Sequence, residues 1–136
     1  MILLDTAALL RLIEGEPFGA AARDAIDAAV RVNALLVSAV SAWELGLLAT
    51  RTGRTSAKIG DARIWWHEAL NATTARVLTV TPEILLDAIY LPEPFHRDPG
   101  DRWIVATARI EAVTLITPDR AILAYAAAGH VKAIRA

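Results

Sequence analysis

Asp5, Glu44, Asp101 and Asp119 are the residues of this chain whose types and placing bear most directly on chemistry. Each follows an apolar, strand-like run or opens a helix-like run. In a doubly wound α/β sheet, such positions converge on one edge of the fold, where ligands bind. Converging carboxylates repel one another unless something positive sits among them. The common answer is a divalent cation held by hard oxygen ligands. The set therefore points to a metal-dependent hydrolase acting on a phosphodiester.

The elements that must position these acids can be read from the hydrophobic pattern. Ile2 to Leu4 reads as a short buried strand, and Thr6 to Glu14 as a helix closed by Gly15 and Pro17. Phe18 to Arg31 reads as a second helix and Ala34 to Val40 as a second strand. Ser41 is then the expected N-cap of a helix through Trp43, Glu44, Leu47 and Leu48 that stops near Gly53. Arg51 to Gly60 is polar, basic and glycine-bearing, and reads as a loop. Asp61 to Asn71 resumes as helix, and Arg76 to Val80 is a third strand. Thr81-Pro82-Glu83 opens another helix, with a cap, a proline and an acid in its first turn. Leu91 to Gly100 is a proline-rich loop, Asp101 to Glu111 a largely buried helix, and Val113 to Ile116 a fourth strand. Thr117-Pro118-Asp119 opens a helix through Ala128, Gly129 caps it, and Val131 to Ile134 is a fifth strand. Strands separated by helices imply parallel pairing. Asp5 and Asp119 then follow the first and fourth strands, Glu44 lies one helical turn past the second, and Asp101 opens the helix that feeds the fourth.

Composition bounds the classes. A chain of 136 residues, 55% of them hydrophobic, suits one domain with a full core, so positions 1–136 are taken as a single domain. A net charge of −1 excludes a globally basic nucleic-acid binder but not a local basic patch. The absence of cysteine fits a reducing cytoplasm and removes disulfides and zinc–thiolate sites. The N-terminal apolar run stops at Asp5 without a positive flank, unlike a signal peptide. No apolar stretch approaches the roughly 20 residues that span a bilayer.

Each acid also has a plain structural reading. Asp5 could cap the following helix, Glu44 could be a solvated helix residue, and Asp98 and Asp101 could be turn and cap residues around Pro99-Gly100. Asp119 suits a first helical turn. Only the joint pattern carries weight. Trp65-Trp66 reads as packing rather than a base-stacking platform. His96, beside Arg97 and Asp98, reads as a surface or turn residue rather than a general base. Arg51, Arg54, Lys58 and Arg63 form the candidate RNA contact, with a solvated loop as the alternative.

Four segments carry a family resemblance: Leu3-Leu4-Asp5-Thr6, Ser38 through Leu45 around Trp43-Glu44, His96-Arg97-Asp98-Pro99-Gly100-Asp101-Arg102-Trp103 through Ala108, and Leu115-Ile116-Thr117-Pro118-Asp119. In this order they resemble the PIN-domain nucleases, and among them the VapC-like toxins of type II toxin–antitoxin pairs. The third segment is the most specific. The resemblance implies a three-layer α/β/α fold around a mostly parallel sheet of about five strands. It implies an acidic pocket of Asp5, Glu44, Asp101 and Asp119 for Mg²⁺ or Mn²⁺, with Thr6 and Thr117 in support and Asp98 nearby. It further implies endoribonuclease activity, a small antitoxin partner whose tail occupies the pocket, and a homodimer. One departure from the family is the lack of an evident helix-borne Lys between Arg51 and Asp61.

The expected division of labour follows. Asp5 and Asp101 are the main metal ligands, and Asp119 completes the shell. Glu44 orients or deprotonates the attacking water, and Arg102 either clamps a phosphate or pairs with a neighbouring acid. Hard oxygen donors favour Mg²⁺ or Mn²⁺. A receiver domain would need adjacent acids after the first strand, but Thr6-Ala7 stands there, and a Lys after the last strand, whereas Lys132 lies inside it. A haloacid-dehalogenase-type phosphatase would need a second Asp where Ala7 stands. The remaining alternative is a non-catalytic binding module on the same fold.

Overall fold

The computed structural model describes residues 1–136. A five-stranded, all-parallel sheet runs in the order β3-β2-β1-β4-β5. Its strands are β1 (Ile2–Leu4), β2 (Leu35–Ser38), β3 (Arg76–Leu78), β4 (Thr114–Thr117) and β5 (Ala133–Arg135). The helices are α1 (Thr6–Glu14), α2 (Ala20–Arg31), α3 (Ala39–Ala49), α4 (Arg54–Ile59), α5 (Ala62–Thr73), α6 (Pro82–Ile89), α7 (Pro99–Ile110) and α8 (Arg120–Ala127).

Alternation along the inner strands builds a core on each face of the sheet. Leu3, Leu36 and Leu115 join Ile104, Val105, Ile122 and Tyr125 on one side. Leu4, Leu35, Val37 and Ile116 join Leu9, Ile26, Leu45 and Ile59 on the other. Helix α3 contributes Val40 to the first cluster and Leu45 to the second. This is the expected α/β/α arrangement. Burial of each such Leu or Ile is worth about 1.5–3 kcal/mol, so the central strands are the least yielding part of the molecule. No helix is long and apolar enough to cross a membrane.

Register sets the site. Leu4 pairs with Val37 on one side and Ile116 on the other. The residues that follow, Asp5, Ser38 and Thr117, therefore stand level at the carboxyl edge of three adjacent strands. The strand order reverses at β1, with β2 and β3 laid down on one side and β4 and β5 on the other, so the ligand-binding crevice of this topology falls at the same edge.

Several boundaries differ from the sequence reading. Ser38, not Ser41, caps α3: its hydroxyl accepts from the Val40 N–H at 3.1 Å, so β2 ends and the helix begins earlier. Ser41 is a buried helical residue instead. Residues 54–59, expected as loop, form α4, anchored by buried Ile59 and by the Ser56 hydroxyl donating to the Ala49 carbonyl at 2.9 Å. This places Lys58 on a helix, which corrects the apparent lack of one there. Helix α7 starts at Pro99 with Asp98 as its cap, so Asp101 sits inside the first turn rather than opening it. Strand β3 stops at Leu78 and β5 starts at Ala133, both at sheet edges where only one neighbour holds the backbone.

Candidate active site

Three of the acids are helix caps whose carboxylates are held by the backbone they cap. Asp5 Oδ1 accepts from the Ala8 N–H at 2.7 Å at the start of α1. Asp98 Oδ1 accepts from the Asp101 N–H at 3.0 Å at the start of α7. Asp119 Oδ1 accepts from the Ile122 N–H at 2.9 Å at the start of α8. The plain capping reading was thus right for Asp5 and Asp98, while Asp119, expected within a first helical turn, is the cap itself; capping does not compete with chemistry. Each carboxylate keeps a second oxygen, and three helix N-termini direct their positive ends to one place.

Two threonines complete the scaffold. Thr117 Oγ1 donates to Asp5 Oδ2 and accepts from the Asp119 N–H at 3.0 Å, tying the ends of β1 and β4 together. Thr6 Oγ1 donates to Glu44 Oε1 at 2.7 Å. With its one proton so committed, it accepts from Ser41 Oγ, 2.9 Å away. Thr6 and Ser41 are buried, so Glu44 is held at its base by a dry pair of hydroxyls.

Asp5, Glu44, Asp98, Asp101 and Asp119 all line one cavity of about 430 Å³, with Thr6 and Gly100 at its floor and Trp43, Leu47, Leu48 and Ile104 as apolar wall. Arg51 is the one basic side chain among the lining residues. Gly100 allows a close approach: a Cβ there would meet Glu44 Oε2 at 3.0 Å and Asp98 Oδ1 at 3.3 Å. His96 Nε2 lies 3.2 Å from Asp101 Oδ2, and donor atoms of His96, Asp101 and Asp119 lie within 4.8 Å of one another.

The electrostatics reflect burial first and crowding second. Burial pushes Asp5 up to about 6 against the downward pull of Thr117 and Ala8, with Glu44 and Asp119 adding repulsion. Asp101 is pushed up to about 7 by burial, then by Asp119, Asp98, Glu44 and Asp5. Glu44 is raised by burial and Asp98, while Thr6 opposes. A pocket that resists ionisation of its own carboxylates is one in which a divalent cation is worth most. The donor set is oxygen-rich and hard, which fits Mg²⁺ or Mn²⁺.

The sequence-derived basic residues divide. Arg51 reaches the pocket rim. Arg54 is exposed on α4, and Lys58 lies 3.5 Å from Glu14. Arg63 is turned to Asp61 at 3.0 Å. Arg102 is neither a phosphate clamp nor an acid's partner. It is buried, and its guanidinium donates to the carbonyls of Ala88 and Ile89 at the end of α6 and of Phe95 and His96 in the loop before α7. Trp65 and Trp66, on α5, pack against the core, as expected. His96, Gly100, Trp43 and Ser41 were not singled out as site residues. For His96 the available signal was its position immediately ahead of the Asp98-to-Asp101 turn.

A parallel α/β domain with a carboxylate-lined pocket at its strand ends defines a class of metal-fitted phosphohydrolase scaffolds, and comparison with known proteins narrows it. The PIN domain profile matches residues 2–128. Ribonuclease VapC22 of Mycobacterium tuberculosis is 34% identical over 107 residues, covering 79% of this chain and 77% of that protein. This chain belongs to the PIN domain family. Among solved structures, VapBC2 from Rickettsia felis bound to a DNA fragment from the promoter aligns with a TM-score of 0.72 at 14% identity, over 100% of this chain and 99% of that one. FitAcB from Neisseria gonorrhoeae aligns at 0.65 and 20% identity, over 98% and 96%. At these identities the structural matches speak to fold.

Proposed function

We propose that this chain is a metal-dependent endoribonuclease, the toxin of a VapBC-like toxin–antitoxin pair. The observation that carries the reading is the gathering of five carboxylates in one cavity with a single basic neighbour. The relationship to a protein named as a ribonuclease supports the reaction class, and the fold shared with toxin–antitoxin complexes supports an antitoxin partner.

Asp5 and Asp119, through the oxygens that capping leaves, and Asp101, in the first turn of α7, would hold Mg²⁺ or Mn²⁺. A cation bound there neutralises charge on the phosphodiester and its transition state. Glu44, fixed by Thr6 and Ser41, is placed to orient the attacking water and take its proton. The water oxygen then bonds to phosphorus as one ester P–O bond breaks, and the departing oxygen takes up a proton from solvent. Thr117 keeps Asp5 aimed into the pocket, and Asp98 tunes Glu44 and Asp101 by repulsion. Arg51 at the rim, with Arg54 and Lys58 on α4, forms a basic approach for the RNA backbone. The chain works in the cytoplasm as a homodimer formed through the exposed apolar face of α6, with positions 1–136 as one functional unit.

The deciding experiment is cleavage of total bacterial RNA by the purified chain with Mg²⁺, with Mn²⁺ and with EDTA, beside Glu44→Gln. Discrete fragments that need metal and vanish in the variant are expected. A folded, metal-binding protein that cleaves nothing would make the domain a binding module instead.

A further inference from the structure

His96 stands in the segment between α6 and α7, and its ring is fixed from three directions. Phe95 stacks on it with centroids 4.4 Å apart and planes inclined at 27°. Nδ1 accepts from the Asp98 backbone N–H at 3.2 Å. Nε2 faces Asp101 Oδ2 at 3.2 Å. The backbone beneath it is also held, since Arg102 Nη1 donates to the carbonyls of Phe95 and His96 at 3.2 and 3.0 Å. A solvated turn residue would need none of this.

The hydrogen bonds choose between two roles. Nε2 lies close enough to Asp101 and Asp119 to serve as a nitrogen ligand. A neutral imidazole carries one proton, however, and a nitrogen that accepts a hydrogen bond cannot carry it. Nδ1 accepts from Asp98, so the proton resides on Nε2 and points at Asp101. A protonated Nε2 donates and does not ligate. Asp101 Oδ1 makes no hydrogen bond of its own, so donation to Oδ2 leaves Oδ1 as the oxygen available to a cation.

We propose that His96 is a positioning residue for the metal pocket, its Nε2–H holding Asp101 Oδ2 so that this carboxylate offers a single, fixed oxygen. The arrangement inverts the familiar pairing in which a carboxylate orients a ligating His. It rests on the reading of Asp101 as a cation ligand. It also gives Arg102 a purpose: the buried guanidinium sets the backbone from which the His96 ring reaches the site.

The test is Mn²⁺ affinity by calorimetric titration on wild type, His96→Ala, His96→Gln and Asp101→Asn. Thermal midpoints confirm folding, and the Mn²⁺ electron-spin-echo spectrum of ¹⁵N-histidine-labelled protein reports any bound nitrogen. His96→Ala should weaken Mn²⁺ binding about 10- to 100-fold. His96→Gln, whose amide N–H can reach toward Oδ2, should recover most of that loss. The wild-type spectrum should show no directly bound histidine nitrogen. Wild-type affinity in His96→Ala would overturn the proposal, as would equal losses in both His96 variants. A histidine nitrogen coupling would overturn it in favour of direct ligation. Unchanged binding in Asp101→Asn would instead overturn the underlying assignment of Asp101, so the two failures are separable.

Discussion

The Glu44 carboxylate lies against the Cα of Gly100, so that a Cβ at position 100 would come 3.0 Å from Oε2 and 3.1 Å from Cδ. Helices α3 and α7 thus meet at the pocket with only the Glu44 carboxylate between the α3 backbone and the Cα of Gly100. Glu44 is gripped on its other oxygen by Thr6. Gly100→Ala would push the carboxylate by a few tenths of an ångström against that grip. Small displacements of a positioned group are costly, and a fall in kcat of about tenfold is expected. Stability should hold or rise, because Ala is favoured over Gly in a helical turn by up to about 1 kcal/mol. Comparing the RNA cleavage rate with the thermal midpoint checks both halves, and a wild-type rate would remove Glu44 placement from the account.

The raised carboxylates make stability depend on pH in a definite direction. Asp5 and Asp101 titrate near 6 and 7 in the folded chain, against 3.8 for a free Asp. Between about pH 4 and 7 the native state therefore keeps protons that the unfolded chain has released. Unfolding free energy falls as pH rises through that window and levels off above it. For buried Asp5 alone the loss is about 3 kcal/mol at most. The thermal midpoint of metal-free protein should drop from pH 5 to pH 7.5, and saturating Mg²⁺ or Mn²⁺ should restore it at the higher pH. Asp5→Asn should flatten the slope and abolish cleavage while folding normally. A metal-free protein that grows more stable toward pH 7.5 would contradict this electrostatic picture.

What could be read in advance was what local rules decide. The apolar runs at Leu3-Leu4, Leu35 to Val37 and Leu115-Ile116 had to be strands buried on both faces, and parallel order then fixed where Asp5 and Asp119 fall. Boundaries failed where two local signals competed. Ser38 and Ser41 are both fit to cap a helix, and what chose Ser38 is tertiary: Ser41 is needed in the buried hydroxyl pair beside Thr6. Helix α4 was invisible because it is short and mostly polar, and its hold on the fold is buried Ile59 and the Ser56 hydroxyl on the Ala49 carbonyl. Arg102 and His96 failed for a related reason. Their partners are carbonyls and a carboxylate brought near by a non-repetitive loop, and no periodicity encodes that.

Basic residues around the pocket should differ in their contribution to RNA binding. Arg51 lines the cavity and lacks an acidic partner, whereas Lys58 already lies beside Glu14. Each phosphate contact to a single strand adds about 0.7 to the slope of log affinity against log salt. Arg51→Ala should reduce the slope by about that amount. Lys58→Ala should change it less. Binding titrations over a range of salt concentrations with the inactive Glu44→Gln background measure both, and an unchanged slope for Arg51→Ala would take that residue out of the substrate path.

Arg102 should behave as a structural residue. Its guanidinium satisfies four carbonyls in and after α6, all beneath the surface or close to it. Arg102→Met removes the charge and leaves those carbonyls without donors, at an expected cost of about 3 kcal/mol. Arg102→Lys should recover only part of it, since an ammonium cannot present the planar fork. Chemical denaturation gives the two values. A Met variant as stable as wild type, with RNA binding lost, would return Arg102 to the substrate.

The outer face of α6 exposes Leu86, Ile89 and Tyr90 at 60, 70 and 78%. Leu85 continues it into a hollow with Val80, Trp43 and Trp103, and Trp43 also borders the acidic cavity. An apolar surface of this kind is unusual on a monomer and marks an interaction face. The wild-type chain should therefore sediment as a dimer at micromolar concentration. Ile89→Glu should sediment as a monomer with an unchanged thermal midpoint at low concentration, because Ile89 is already in solvent within one chain and its replacement disturbs no core. A wild-type chain that remains monomeric when concentrated would leave this face to a different protein, and the antitoxin would be the first to test there.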